Sequence, residues 1–417
     1  MKQNLKALAL IAAAIFLAAC DRGDVEFVGF SSIEGADQTA FNVYDVRVTD
    51  LSKGIPQDCP IPSDISTKTT STTINTLVQH LFEYNNKGKV IELAGTYTSK
   101  NLKTGEDVTL SGKVLLPKDR KPKRFIVVSH YTIGSNAEAP SNIFPLEGVL
   151  CDLGYAMIFP DYQGYGVDSK RIHPYLVMDQ TAYDVVQMYL AVAKYLQNTE
   201  YRPKEDDIYL MGFSQGGAVT MAVQMCMEEV YGLASSIHQV FAGGGPYDVR
   251  ETYNNFITTN TVNIPPAVPF VIQGMVKGYD MDIDMSQMLQ PWIYEKIDEW
   301  INSKMYSTDQ LRRMMGTTRT SDILTAEGMD PTSDVVAELY KAMSENSVLS
   351  YSWVPQAPVY LFHSMNDDVV PFVNASKAKS KWKDANIQYN FGYYGSHVMA
   401  LLRFIFTVQN WLEEEGE

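Results

Sequence analysis

The 417-residue chain has only four cysteines and six histidines, and nowhere does it spell Cys-x-x-Cys or His-Glu-x-x-His. Zinc sites and zinc hydrolases rely on such spacings, so no metal is expected. Cations are also scarce: 34 Lys and Arg stand against 49 Asp and Glu, a formal charge of −15. That balance excludes a nucleic-acid partner or a membrane-binding basic patch and implies a solvated acidic surface. No internal repeat recurs, which argues against a solenoid or propeller.

The N-terminus carries Met1, Lys2 and Lys6 and then an apolar run from Ala7 to Cys20. This run is shorter than the roughly 20 residues of a spanning helix and reads as an export signal. Its end, Leu17-Ala18-Ala19-Cys20, resembles the lipobox of bacterial lipoprotein signal peptides. The resemblance implies removal of residues 1–19 and lipid attachment at Cys20, so that the membrane is a partner through this anchor. The expected location is the bacterial cell envelope, facing the periplasm or exterior. An ordinary signal peptide cut nearby is the alternative. Cys59, Cys151 and Cys226 then remain, enough for one disulfide at most. Cys226 falls in an apolar helical pattern, which leaves Cys59 and Cys151 as the pairing to test.

With 45% hydrophobic and 11% aromatic residues, the chain can bury a large core. Residues 20–75 are rich in Ser, Thr, Asp and Gly and read as a tether and irregular arm. A helix is expected near Ile74–Tyr84. Strand-like runs follow at Val90–Tyr97, Val108–Leu116, Phe125–Ser129, Tyr155–Pro160, Ile208–Phe213, Val240–Gly243, Val359–His363 and Ile387–Tyr393. Helical patterns at Asp179–Gln197, Gly216–Val230 and His397–Glu414 alternate with them, which predicts an α/β fold with a mainly parallel central sheet flanked by helices. Residues 247–350 break the rhythm with helical patterns near Ala267–Tyr279, Pro291–Met305 and Thr308–Met315. They predict a helical cap inserted between core segments 76–246 and 351–417. Ala267–Val276 is apolar enough to line an acyl pocket, although a docking face for the cap is the plainer reading.

Ile208–Phe213 runs into Gly212-Phe213-Ser214-Gln215-Gly216 and then directly into a helical pattern. Strand, Gly-x-Ser-x-Gly and helix in this order form a nucleophile elbow, with Ser214 presented at the carboxyl end of the sheet. The backbone N–H of Gln215 is then an oxyanion donor by position. A serine hydroxyl needs a base. His397 stands between the last strand and the last helix, whereas His238 and His363 adjoin strands. The orienting acid should follow the preceding strand, where Asp367 and Asp368 are adjacent. Asp367 is preferred because Asp367-Asp368-Val369-Val370-Pro371 resembles the acid turn of many α/β-hydrolases, in which the acid lies four residues before proline. The second oxyanion donor should follow Phe125–Ser129, and Thr132 or Tyr131 fills that place; His130 reads as a structural loop residue.

Several phrases together resemble the secretory lipase family, within the α/β-hydrolase superfamily. They are Ser111-Gly112-Lys113-Val114-Leu115-Leu116-Pro117, Asp161-Tyr162-Gln163-Gly164-Tyr165-Gly166, His173-Pro174-Tyr175-Leu176, the Ser214 elbow, Gly244-Gly245-Pro246-Tyr247-Asp248, the Asp367 turn and Gly395-Ser396-His397. The match runs from about 110 to 400. Tyr131 replaces a glycine usual in the oxyanion loop. The resemblance implies a small-molecule ester or acylglycerol substrate, no cofactor, and a loop-shaping role for Asp161. Two rivals stand beside it. A prolyl-oligopeptidase-like peptidase shares the triad, but the chain before Phe125 is too short for that group's propeller. A non-catalytic binding lipoprotein commonly lacks a triad member, and all three are here.

Overall fold

The computed structural model describes residues 40–62, 68–85, 88–204 and 207–415. Cys20, the lipobox and the proposed tether up to residue 39 lie outside the described residues. The strands are β1 (Asn42–Asp50), β2 (Lys89–Lys100), β3 (Asp107–Pro117), β4 (Phe125–Ser129), β5 (Ala156–Pro160), β6 (Ile208–Phe213), β7 (Ile237–Gly243), β8 (Val359–Ser364) and β9 (Ile387–Gly392). They form one sheet in the order β1-β2-β3-β5-β4-β6-β7-β8-β9. The first three strands and the β3–β5 pair are antiparallel; β5, β4, β6, β7, β8 and β9 are mutually parallel.

The parallel centre forms because its strands are apolar on both faces. Every residue of β4, β5, β6 and β8 is buried. Alternation sorts them: Phe125 and Val127 enter one core cluster, Ile126 and Val128 the other. On the first face lie α2 (Met178–Leu196) and α3 (Gln215–Glu229), and on the second α1 (Lys68–Asn85) and the closing α9 (His397–Glu414). The mainly parallel sheet covered on two sides is thus the fold the apolar runs predict.

Residues 42–50 depart from the expected irregular arm, because they pair with β2 as an edge strand. Tyr44, Val46 and Val48 are half exposed or more, and the pairing is irregular at Tyr44, between Val43 and Asp45. A search for continuous buried runs passes over such a strand, although its period-two pattern is present in the sequence.

Between β7 and β8 the chain forms α4 (Val249–Thr259), α5 (Ala267–Gly278), α6 (Thr308–Met315) and α7 (Asp334–Asn346), with shorter turns between them. The long helix expected over Pro291–Met305 is instead a short α-turn, Pro291–Tyr294, followed by a π-helical segment, Ile297–Asn302. Helix α8 (Val373–Lys381) sits between the last two strands. Asn346 at the end of α7 accepts from Met178 N–H at 2.7 Å and from the Tyr279 hydroxyl at 2.8 Å, which ties α7 and α5 to the start of α2. Ala267–Val276 is buried throughout and is absent from the lining of the Ser214 cavity described below, so it docks the insertion. Cys59 and Cys151 share one apolar cluster as separate buried thiols, and Cys226 is a third, so the pairing held open for test is not formed.

Candidate active site

Parallel register sets the site. Ser129 on β4 lies opposite Gly212 on β6, and Phe213 opposite Gly243 on β7, so the segments leaving these strands emerge at one sheet edge. Ligands favour this carboxyl edge in open α/β sheets. Ser214 turns the chain from β6 into α3 with φ 60° and ψ −126°, a left-handed backbone that a non-glycine residue adopts only under constraint. Its N–H donates to Gly243 O at 2.9 Å. The two elbow glycines leave no room for a side chain: a Cβ on Gly216 would sit 2.0 Å from Ser129 O, and one on Gly212 2.3 Å from Gly216 O.

Three distant side chains meet above this turn. His397 Nε2 lies 2.8 Å from Ser214 Oγ, and His397 Nδ1 lies 2.6 Å from Asp367 Oδ2. The Asp367 side chain is inaccessible to solvent. Its other oxygen accepts the N–H groups of Val369 at 2.9 Å and Val370 at 2.8 Å. Burial on its own would raise this acid, but His397, His363 and the Val369 amide outweigh it and hold Asp367 below the ordinary carboxylate value. The neutral imidazole consistent with this geometry donates from Nδ1 to the carboxylate and accepts the serine proton at Nε2.

Asp368 takes a different place. Its Oδ1 accepts the backbone N–H of His397 at 2.8 Å, and its carbonyl accepts from Asn263 Nδ2 at the same distance. His363 is buried, with Nε2 donating to Val370 O at 3.0 Å, and stands 4.0 Å from Asp367.

The loop after β4 is held from behind. His130 is buried, stacks on Tyr162 with ring centroids 3.9 Å apart, and donates from Nδ1 to Tyr131 O at 2.6 Å. Burial pushes its imidazole down to about 4, so it stays neutral. Because a trans peptide directs C=O and N–H oppositely, fixing Tyr131 O inward turns the Thr132 N–H away from the core. Asp161 accepts from Ser111 Oγ at 2.6 Å and from Ser141 N–H at 2.8 Å, which pins the turn after β5.

A cavity of about 650 Å³ opens over Ser214 and His397, with Tyr131 and Thr132 in its wall. Its apolar lining includes Phe213, Ile264, Val398 and Leu401, and Arg312 and Asp309 form an ion pair at 2.8 Å in its wall. Pro60–Pro62 of the N-terminal arm and Asn263 of the insertion also line it. These two contributions have no motif or periodicity to announce them, since the fold alone carries them to the sheet edge.

Solved structures share this architecture. A ligand-bound form of the rice cell wall degrading esterase LipA from Xanthomonas oryzae is 19% identical, with a TM-score of 0.67 over 82% of this chain and 95% of that one. Candida antarctica lipase A in its closed state is 16% identical, with a TM-score of 0.60 over 89% of this chain and 82% of that one. At these identities the likeness is one of fold. No curated protein matches the chain by sequence. The secretory lipase family model matches residues 143–413, which hold the serine elbow, the acid turn and the terminal histidine, and the chain therefore belongs to the secretory lipase family.

Proposed function

We propose that this member of a lipase family is a serine esterase or lipase working through an acyl-enzyme on Ser214. The observation that carries the reading is the imidazole of His397 within hydrogen-bond reach of both the Ser214 hydroxyl and the Asp367 carboxylate. His397 takes the proton of Ser214 as Oγ attacks the ester carbonyl, and Asp367 holds the ring in the tautomer that leaves Nε2 free. The tetrahedral oxyanion is received by the backbone N–H groups of Gln215 and Thr132. His397 then protonates the departing alcohol. Water attacks the acyl-enzyme with the same imidazole as base, and the carboxylic acid leaves.

Thr132 is preferred to Tyr131 as second donor because His130 holds the Tyr131 carbonyl on the opposite side of that peptide. The apolar cavity wall suits an acyl chain, and residues 247–350 act as a cap over it, contributing Ile264 and Arg312 to the lining. Residues 1–19 are the export signal, and a lipid on Cys20 anchors the mature enzyme in the envelope.

Turnover of p-nitrophenyl butyrate by Ser214→Ala, with fluorophosphonate labelling of both forms, tests the mechanism. Loss of labelling and of activity by several powers of ten is expected with folding unchanged. Near-normal turnover by the folded variant would remove the proposal. Faster cleavage of aminoacyl anilides than of esters would redirect it to a peptidase.

A further inference from the structure

The His173-Pro174-Tyr175 segment, singled out by its resemblance to the family, has no part in the proton transfers above. It lies between β5 and α2, far in sequence from both Ser214 and the loop after β4. Both of its polar side chains are buried, and each reaches one of the two segments that carry the proposed oxyanion donors. Gln215 donates from Nε2 to His173 Nε2 at 3.0 Å. Two residues on, the hydroxyls of Tyr175 and Thr132 are hydrogen-bonded at 2.7 Å.

We infer that His173 and Tyr175 are positioning residues that brace the oxyanion hole, one through the side chain of Gln215 and the other through that of Thr132, and so set the gap between the two backbone donors. The inference rests on the assignment of those donors above. An oxyanion hole works because its donors stand in place before charge develops. A single short segment joining both donor-bearing residues supplies that placement.

The surroundings make the brace stiff. His173 Nδ1 donates to Gln163 O at 2.7 Å, which leaves Nε2 as a lone-pair acceptor for Gln215. Burial and then the Lys304 ammonium drive His173 well below the ordinary imidazole value, so the acceptor is kept. Pro174 fixes one backbone angle, and Tyr175 N–H donates to His173 O at 2.8 Å across it. The Tyr175 ring packs between His173 and Phe270, with centroids at 5.9 and 5.6 Å. Gly274 of α5 comes so close that a Cβ there would lie 2.5 Å from Tyr175 O. The inserted helix thereby presses on the brace from outside.

Tyr175→Phe deletes one strut, and Gln215→Met deletes the other while keeping the backbone N–H. Each is assayed in the full-length enzyme for kcat and KM on p-nitrophenyl butyrate and for inhibition by an alkyl boronic acid, whose serine adduct places an oxygen in the oxyanion hole. The expected result is a loss of about tenfold in kcat and in boronate affinity, below the roughly 100- to 1,000-fold lost with a whole donor. KM should stay within twofold. Folded variants with kcat and boronate affinity within twofold of the parent would overturn the brace, as would a loss confined to KM. If Tyr175→Phe does not fold, Thr132→Val cuts the same hydrogen bond from its other end and carries the same expectation. Ser214→Ala serves as the control: activity surviving in it defeats the serine mechanism, whereas an inactive Ser214→Ala beside unaffected brace variants defeats the brace alone.

Discussion

Asp368 holds the backbone of His397 and leaves its ring alone: Oδ1 accepts the His397 N–H at 2.8 Å, while the ring belongs to Asp367. Adjacent carboxylates therefore have separable effects. Asp367→Asn should lower kcat by roughly 1,000- to 10,000-fold, because an amide favours the wrong imidazole tautomer. Asp368→Asn should keep kcat within about tenfold and cost about 1 kcal/mol of stability, the order of one weakened cap. Kinetics and denaturant titration of the two variants check both. Equal kinetic losses would reassign the acid.

Gly216→Ala probes the elbow. Its Cβ would meet Ser129 O at 2.0 Å, and backbone cannot yield as a flexible side chain would. A destabilisation above about 3 kcal/mol is expected, with loss of fluorophosphonate labelling. A variant with parental melting temperature and labelling would contradict the packing described.

Glu147 gives a pH signature. Burial raises its carboxyl to about 7, so the folded chain keeps a proton that the unfolded chain releases near pH 4.5. The associated stability is fully present below pH 4.5 and is lost as pH rises through 7. Glu147→Gln should therefore stabilise at pH 8 relative to the parent, on the order of 1–3 kcal/mol, with that advantage shrinking towards pH 5. Melting curves across this range decide; an advantage that grows on acidification would reverse the sign.

Ile264 lines the cavity from the insertion. Ile264→Trp should narrow the acyl side and lower kcat/KM for octanoyl esters at least fivefold more than for acetyl esters, in keeping with what a few buried methylenes are worth. An equal effect on both chain lengths would place the acyl chain elsewhere.

The anchor is tested in cells. Cys20→Ser should abolish incorporation of labelled palmitate and release the enzyme from the membrane fraction, since acyl chains on Cys20 are its proposed hold on the bilayer. Labelled protein in that variant would end the assignment.

Much of the fold was legible because parallel strands buried on both faces leave continuous apolar runs, as at Ile208–Phe213 and Val359–Phe362. Edge strand β1 was not, since its exposed Tyr44, Val46 and Val48 carry no such run. The insertion was recognisable as helical, but the break after Tyr294 into a π-helical turn follows from packing that local periodicity does not encode.

Chemistry written into short spacings came from the sequence alone: a serine between glycines after a strand, an acid four residues before Pro371, a histidine ahead of the last helix. Local sterics and hydrogen bonding dictate those patterns, so they survive without coordinates. Tertiary structure decided what depends on side chains meeting across long loops. It gave Asp367 the ring and Asp368 the backbone N–H of His397, set the His130 ring against the Tyr131 carbonyl, and brought His173 and Tyr175 into hydrogen-bond contact with Gln215 and Thr132. Those contacts are set by the register and packing of the whole sheet, which no local window of residues contains.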